Sequence, residues 1–169
     1  MKSVSVAEFL AHAVALEEEA AHGYDELARV MEVHNNRDVT ALFRQMGDYC
    51  RKHRTEALQR AEGHTLPRLK SWEFRWNTKV SPEAAAVGDL HYLMTPRHAL
   101  KLALDAERTS FEYYDSLARE ALDAKVREMA VEFAKEEAEH VAALESWLEK
   151  VPETPAGWDE DHDPPVCVD

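Results

Sequence analysis

The chain has 169 residues, 45% hydrophobic and 31% charged, which describes one domain able to bury its own core rather than a disordered segment. Its 33 acidic residues outnumber 20 basic ones for a net charge of −13, which excludes the basic face that nucleic acid requires. No apolar run reaches the roughly 18 residues of a membrane span, and Cys50 and Cys167 make neither a disulfide framework nor a Cys-x-x-Cys pair, so the expectation is an acidic cytoplasmic protein without nucleic-acid or membrane partners.

Alanine, glutamate and leucine are the commonest residues, a composition that favours helix. Ser5-Val-Ala-Glu8 is a capping box and opens the first helix. Its apolar stripe runs through Phe9, Ala13, Leu16, Ala20, Tyr24, Leu27 and Met31. Glu8, His12 and Glu17 to Glu19 interrupt that stretch and make it a poor secretory signal. His34-Asn35-Asn36 breaks the helix. A second runs from about Arg37 to Glu62, with Leu42, Met46, Tyr49, His53 and Leu58 assigned inward and Gly63 as its stop. Residues 64–95 form a long connection containing Trp72, Phe74 and Trp76, then a short helix from Ser81-Pro82-Glu83 to near Gly88. Thr95-Pro96 caps a third helix with Leu100, Leu104, Glu107, Phe111, Tyr114 and Ala118 on one face. After a break at Leu122-Asp123, a fourth runs through Met129, Phe133, Glu137, His140, Leu144 and Trp147 and ends before Pro152. Residues 1–151 are therefore expected to form an all-α four-helix bundle, two antiparallel hairpins joined by a long crossover. Residues 152–169 hold Pro152, Pro155, Pro164 and Pro165, six acidic residues and no Lys or Arg, and read as an extended or disordered tail.

The two hairpins repeat each other. Glu17 to Ala28 (EEEAAHGYDELA) aligns with Glu107 to Ala118 (ERTSFEYYDSLA), pairing Glu17 with Glu107 and Tyr24 with Tyr114. The second helices align with His53 on His140 and Met46 on Phe133. Burying an unpaired carboxylate costs several kcal/mol, so an inward Glu in both halves calls for a cation between them. Glu137-Ala-Glu-His140 places a carboxylate and an imidazole one turn apart on the inward face; in the other half the corresponding residue is Cys50, followed by His53. The candidate metal ligands are thus Glu17, Cys50, His53, Glu107, Glu137 and His140. Glu18, Glu19, Glu136 and Glu139 are assigned to solvated faces, although a shift of one residue in helix phase would exchange them for a ligand.

This pattern resembles the rubrerythrin-like branch of the ferritin-like di-iron carboxylate superfamily over residues 5–150. The E-x6-Y signature occurs twice, followed once by E-x-x-H and once by a C-x-x-H variant. The resemblance implies a ferritin-like bundle with two iron ions (zinc or manganese being the alternatives). It implies Glu17 and Glu107 as terminal ligands, Glu137 as a bridge, His53 and His140 one to each metal, and Tyr24 and Tyr114 behind the ligand carboxylates. It further implies oxidoreductase chemistry on O2 or peroxide, an external electron-donor protein and a homodimer; a metal-storage or sensor protein is the alternative. The departures are Cys50 in place of a bridging Glu, Ser110 in place of a further carboxylate, and no rubredoxin cysteines, Cys167 standing alone in the tail. Cys50 is open to three readings: a thiolate ligand that restores the charge balance, a redox-active thiol, or a small buried side chain filling space.

Overall fold

The computed structural model describes residues 3–69, 94–153 and 156. It is an all-α four-helix bundle, and no strand occurs among the described residues. The helices are α1 (Val6–Val33), α2 (Arg37–Arg60), α3 (Pro96–Glu120) and α4 (Ala124–Leu148). α1 packs along α2 and α3 along α4, and the two hairpins meet through α1 against α3 and α4. No helix of the described residues is long and apolar enough to cross a membrane. The aromatic cluster, the short crossover helix and Cys167 lie outside the described residues.

Local chemistry fixes the helix ends. Ser5 Oγ accepts from the Glu8 N–H, and the Ser5 N–H donates to Glu8 Oε2 at 2.9 Å, the reciprocal box legible in the sequence. α1 closes with Asn35 at φ 55°, the Asn36 N–H reaching Met31 O and the Asn35 N–H reaching Glu32 O. This is a Schellman turn with asparagine at the left-handed position. Asn36 then caps α2 by accepting from the Val39 N–H at 3.1 Å, so three residues suffice to reverse the chain. Thr95 caps α3 ahead of Pro96, and Asp123 caps α4 by accepting from the Lys125 and Val126 N–H groups. Arg127 donates to the carbonyls of Ala121 and Leu122, and Arg97 to those of Leu148 and Val151, so both ends of the second hairpin are tied.

All seven α1 stripe residues are buried. In α2 Leu42 and Met46 are buried as expected, but two other residues assigned inward are not. Tyr49 and Leu58 are 42% and 38% exposed, and the seam is carried by Val39, Phe43, Met46, Gly47, Cys50 and Ala57. Small residues let α2 approach α1 closely at Gly47, where an added Cβ would stand 3.5 Å from Tyr24 Cβ.

Candidate metal centre

The core is divided. One apolar cluster gathers Ala20 to Met31, Val39 to Cys50, Met94 to Leu104, and Leu144; the other gathers Val4 to Leu16, Ala57, Ala61, Tyr113 to Ala121, and Val126 to Ala134. In every helix the changeover falls at the same level. Glu17 lies between Leu16 and Ala20, His53 between Cys50 and Ala57, Glu107 between Leu104 and Tyr113, and Glu137 and His140 between Ala134 and Leu144. A polar layer therefore crosses the middle of the bundle, sealed by hydrocarbon above and below.

Glu107, Glu137 and His140 are buried, with one ligand atom of each within 4.8 Å of the others. His140 Nδ1 is 3.2 Å from Glu107 Oε2 and 3.6 Å from Glu137 Oε2. The Tyr24 hydroxyl, arriving from α1, donates to Glu107 Oε1. Glu107 is thus held on both oxygens, and the sequence expectation that Tyr24 stands behind a ligand carboxylate has a geometric counterpart. The other half is looser. His53 Nδ1 lies 3.6 Å from Glu17 Oε1 and 4.0 Å from Glu136 Oε2. The His53 and His140 rings stack at 5.3 Å and join the two halves.

Charge accounts for the electrostatics of the layer. Burial, then the neighbouring Glu107 charge, pushes the Glu137 carboxyl well above the usual carboxylate range. Burial alone would lower His140, but Glu107 and Glu137 outweigh it and push the imidazole up to about 11. Burial would raise Glu107, and the hydrogen bonds it receives, His140 first and Tyr24 among them, hold it below its ordinary value. Burial raises Glu17, partly opposed by His53. The layer thus favours bound protons where a cation would otherwise balance the carboxylates.

Among the described residues, Glu17 Oε1, His53 Nδ1 and the Tyr114 hydroxyl are buried without a hydrogen-bond partner. Buried polar groups are rarely left so, and two imidazoles with three buried carboxylates form a donor set suited to iron, zinc or manganese. The residues present fit a metal ion. Tyr114, the repeat mate of Tyr24, makes no bond corresponding to that of Tyr24. Cys50 is 1% exposed in the first apolar cluster, beside the layer and outside the Glu107–Glu137–His140 group. Ser110 is buried as well. Glu136, assigned from the sequence to a solvated face and to a ligand place only on a one-residue shift of helix phase, lies beside His53. Its only signal was its place next to Glu137.

No protein-family profile matches the chain, and no curated protein does. Among solved structures it is similar to an uncharacterized conserved protein, COG1633, from Magnetospirillum magnetotacticum MS-1, with 49% identity and a TM-score of 0.77. That similarity covers 90% of this chain and 99% of the other. Identity at this level over nearly the whole of that protein means that the chain belongs to the COG1633 family.

Proposed function

We propose that the chain is a rubrerythrin-like dinuclear-metal protein, holding two iron ions in the mid-bundle layer and carrying out oxidoreductase chemistry on O2 or peroxide. The observation that carries this reading is the buried Glu107–Glu137–His140 group, whose ligand atoms converge within 4.8 Å in a layer sealed by two apolar clusters. COG1633 is a ferritin-like family, which agrees with it. Iron held there would supply the electrons that reduce the oxidant. The chain's own residues prepare the place. Tyr24 and His140 fix the two oxygens of Glu107, so its orientation is set before any ion arrives. The apolar clusters keep bulk water from the layer, and partly exposed Glu136 beside His53 forms its edge toward solvent. Electrons would come from a separate donor protein, and the working unit would be a homodimer.

A second reading has its own support. Cys50 packs with the apolar cluster, which leaves its half one carboxylate short and suits a metal-holding or sensor protein with zinc or iron and little turnover. Metal analysis combined with visible spectroscopy separates the two. Two irons per chain, with an absorption that bleaches with reductant and returns with peroxide, supports the oxidoreductase; stoichiometric zinc with no spectral response supports the second reading. Glu137→Ala and His140→Ala should each abolish tight metal binding while helix content by circular dichroism is retained. Unchanged metal content in both would overturn the site.

A further inference from the structure

We infer that Glu136 supplies the carboxylate that Cys50 does not, making Glu17, His53 and Glu136 a second, solvent-facing divalent-cation position next to the enclosed one. This rests on reading the mid-bundle layer as a metal centre and adds to it a ligand from outside the repeat. The two halves of the layer are related by the internal repeat, and one is complete in Glu107, Glu137 and His140. The other keeps Glu17 and His53, but the residue matching Glu137 is Cys50, seated in the apolar cluster. Glu17 is only 2% exposed, and its Oε1 has no hydrogen-bond partner among the described residues; neither has His53 Nδ1, 3.6 Å away. That spacing is too long for a hydrogen bond. It is close to the roughly 3.0–3.5 Å that separates two donors each about 2.1 Å from a shared ion.

Glu136 approaches the same nitrogen from α4, its Oε2 at 4.0 Å, but the Glu17 and Glu136 carboxylates are too far apart to meet one ion as placed, so the partly exposed Glu136 side chain must turn inward when the ion binds. The neighbouring carboxylates on this seam have cationic partners, Glu132 with Arg60 and Glu56 with Lys52. Among the described residues, the only ion pair Glu136 makes is with His53. Because consecutive helical side chains diverge by about 100°, Glu136 and Glu137 turn toward different halves of the layer, and one dipeptide serves both. The Glu136 side chain remains 29% exposed whereas Glu137 is buried. The two positions should therefore differ in affinity, the enclosed one filling first.

The test is a cobalt(II) titration of the metal-stripped full-length chain, followed by metal analysis and the cobalt ligand-field and charge-transfer absorption. The wild-type chain should take up two ions in two resolved steps. Glu136→Ala should keep the first and weaken the second by at least about tenfold, with unchanged helix content. Cys50→Ser should keep both steps, and the wild-type spectrum should carry no thiolate-to-cobalt band. Adding Cys50→Glu to Glu136→Ala should restore the second step, by returning a carboxylate to the repeat position. A second step unaltered in Glu136→Ala, or a thiolate band lost together with the second ion in Cys50→Ser, overturns the inference while leaving the metal centre standing. No cobalt uptake by the wild-type chain overturns the metal centre itself.

Discussion

Tyr24 and Tyr114 occupy equivalent places in the repeat, yet the fold uses them differently. The Tyr24 hydroxyl donates to Glu107, whereas that of Tyr114 is buried with no hydrogen-bond partner among the described residues. Leaving a buried hydroxyl unpaired costs about 1–3 kcal/mol. Tyr114→Phe should therefore stabilise the metal-free protein by about 1 kcal/mol, and Tyr24→Phe should destabilise it by a similar amount. Denaturant unfolding in the presence of chelator measures both; equal effects of the same sign would show that the asymmetry has no energetic weight. A second residue-level expectation concerns pH. Folding raises Glu137 from 4.5 and His140 from 6.5, the latter to about 11. The stability they contribute is complete below those ordinary values and is lost as pH rises through the folded ones. Glu107 is lowered and acts in the opposite sense, its contribution present above 4.5 and lost as pH falls. The chelated protein should accordingly melt at a lower temperature at about pH 10 than at about pH 7. Metal must displace the same protons, so affinity should rise with pH, and calorimetry in two buffers should record at least about one proton released per ion. A melting temperature that climbs with pH, or uptake without proton release, contradicts the electrostatics of the layer. At this scale the sequence yielded Glu107, Glu137 and His140 because an E-x-x-H turn and a repeated E-x6-Y are local patterns. It offered Glu136 only as the residue one place out of phase, because its approach to His53 depends on how α4 is rotated against α2.

The helix ends were legible because caps are local chemistry. Ser5, Asn36, Thr95 and Asp123 each stand where a side-chain oxygen meets the open N–H groups of the first turn. Asp123 serves two of them, at 2.8 and 3.3 Å. Asp123→Ala should cost about 1 kcal/mol and lower the melting temperature by about 2–4 °C in a chain of this size. A thermal melt unchanged within error would mean that Arg127, already bonded to Ala121 and Leu122, holds the turn without the cap. The rotation of α2 was less legible. Tyr49 and Leu58 face solvent because the seam against α1 selects for close approach, and Gly47, Cys50 and Ala57 provide it. Apolar periodicity reports the direction of a stripe but not which of two adjacent stripes packs more tightly. The three readings of Cys50 rest on its chemistry, and its burial in the first apolar cluster makes space-filling one that the geometry accommodates.

Across the whole molecule, the polar layer sets function against stability. Two apolar clusters that could have been one continuous core are parted by Glu17, His53, Glu107, Glu137 and His140. Buried ion pairs and triads recover their desolvation cost poorly, and apolar replacements of similar volume are often neutral or stabilising by about 1–4 kcal/mol. Replacing Glu107, Glu137 and His140 together with Met, Leu and Leu should fuse the two clusters. The metal-free melting temperature should then rise, by about 2–4 °C for each kcal/mol gained. The same protein should show no stabilisation by added metal, whereas the wild-type chain should gain RT ln(1 + [L]/Kd) from each ion bound. The single substitution Glu137→Leu is the control. It leaves Glu107 and His140 as a hydrogen-bonded pair at 3.2 Å, so it should abolish tight binding without the full gain in stability. If the triple variant instead unfolds more readily than the metal-free wild type, the layer is held together by its own hydrogen bonds, and the bundle has no need of a cation to balance it.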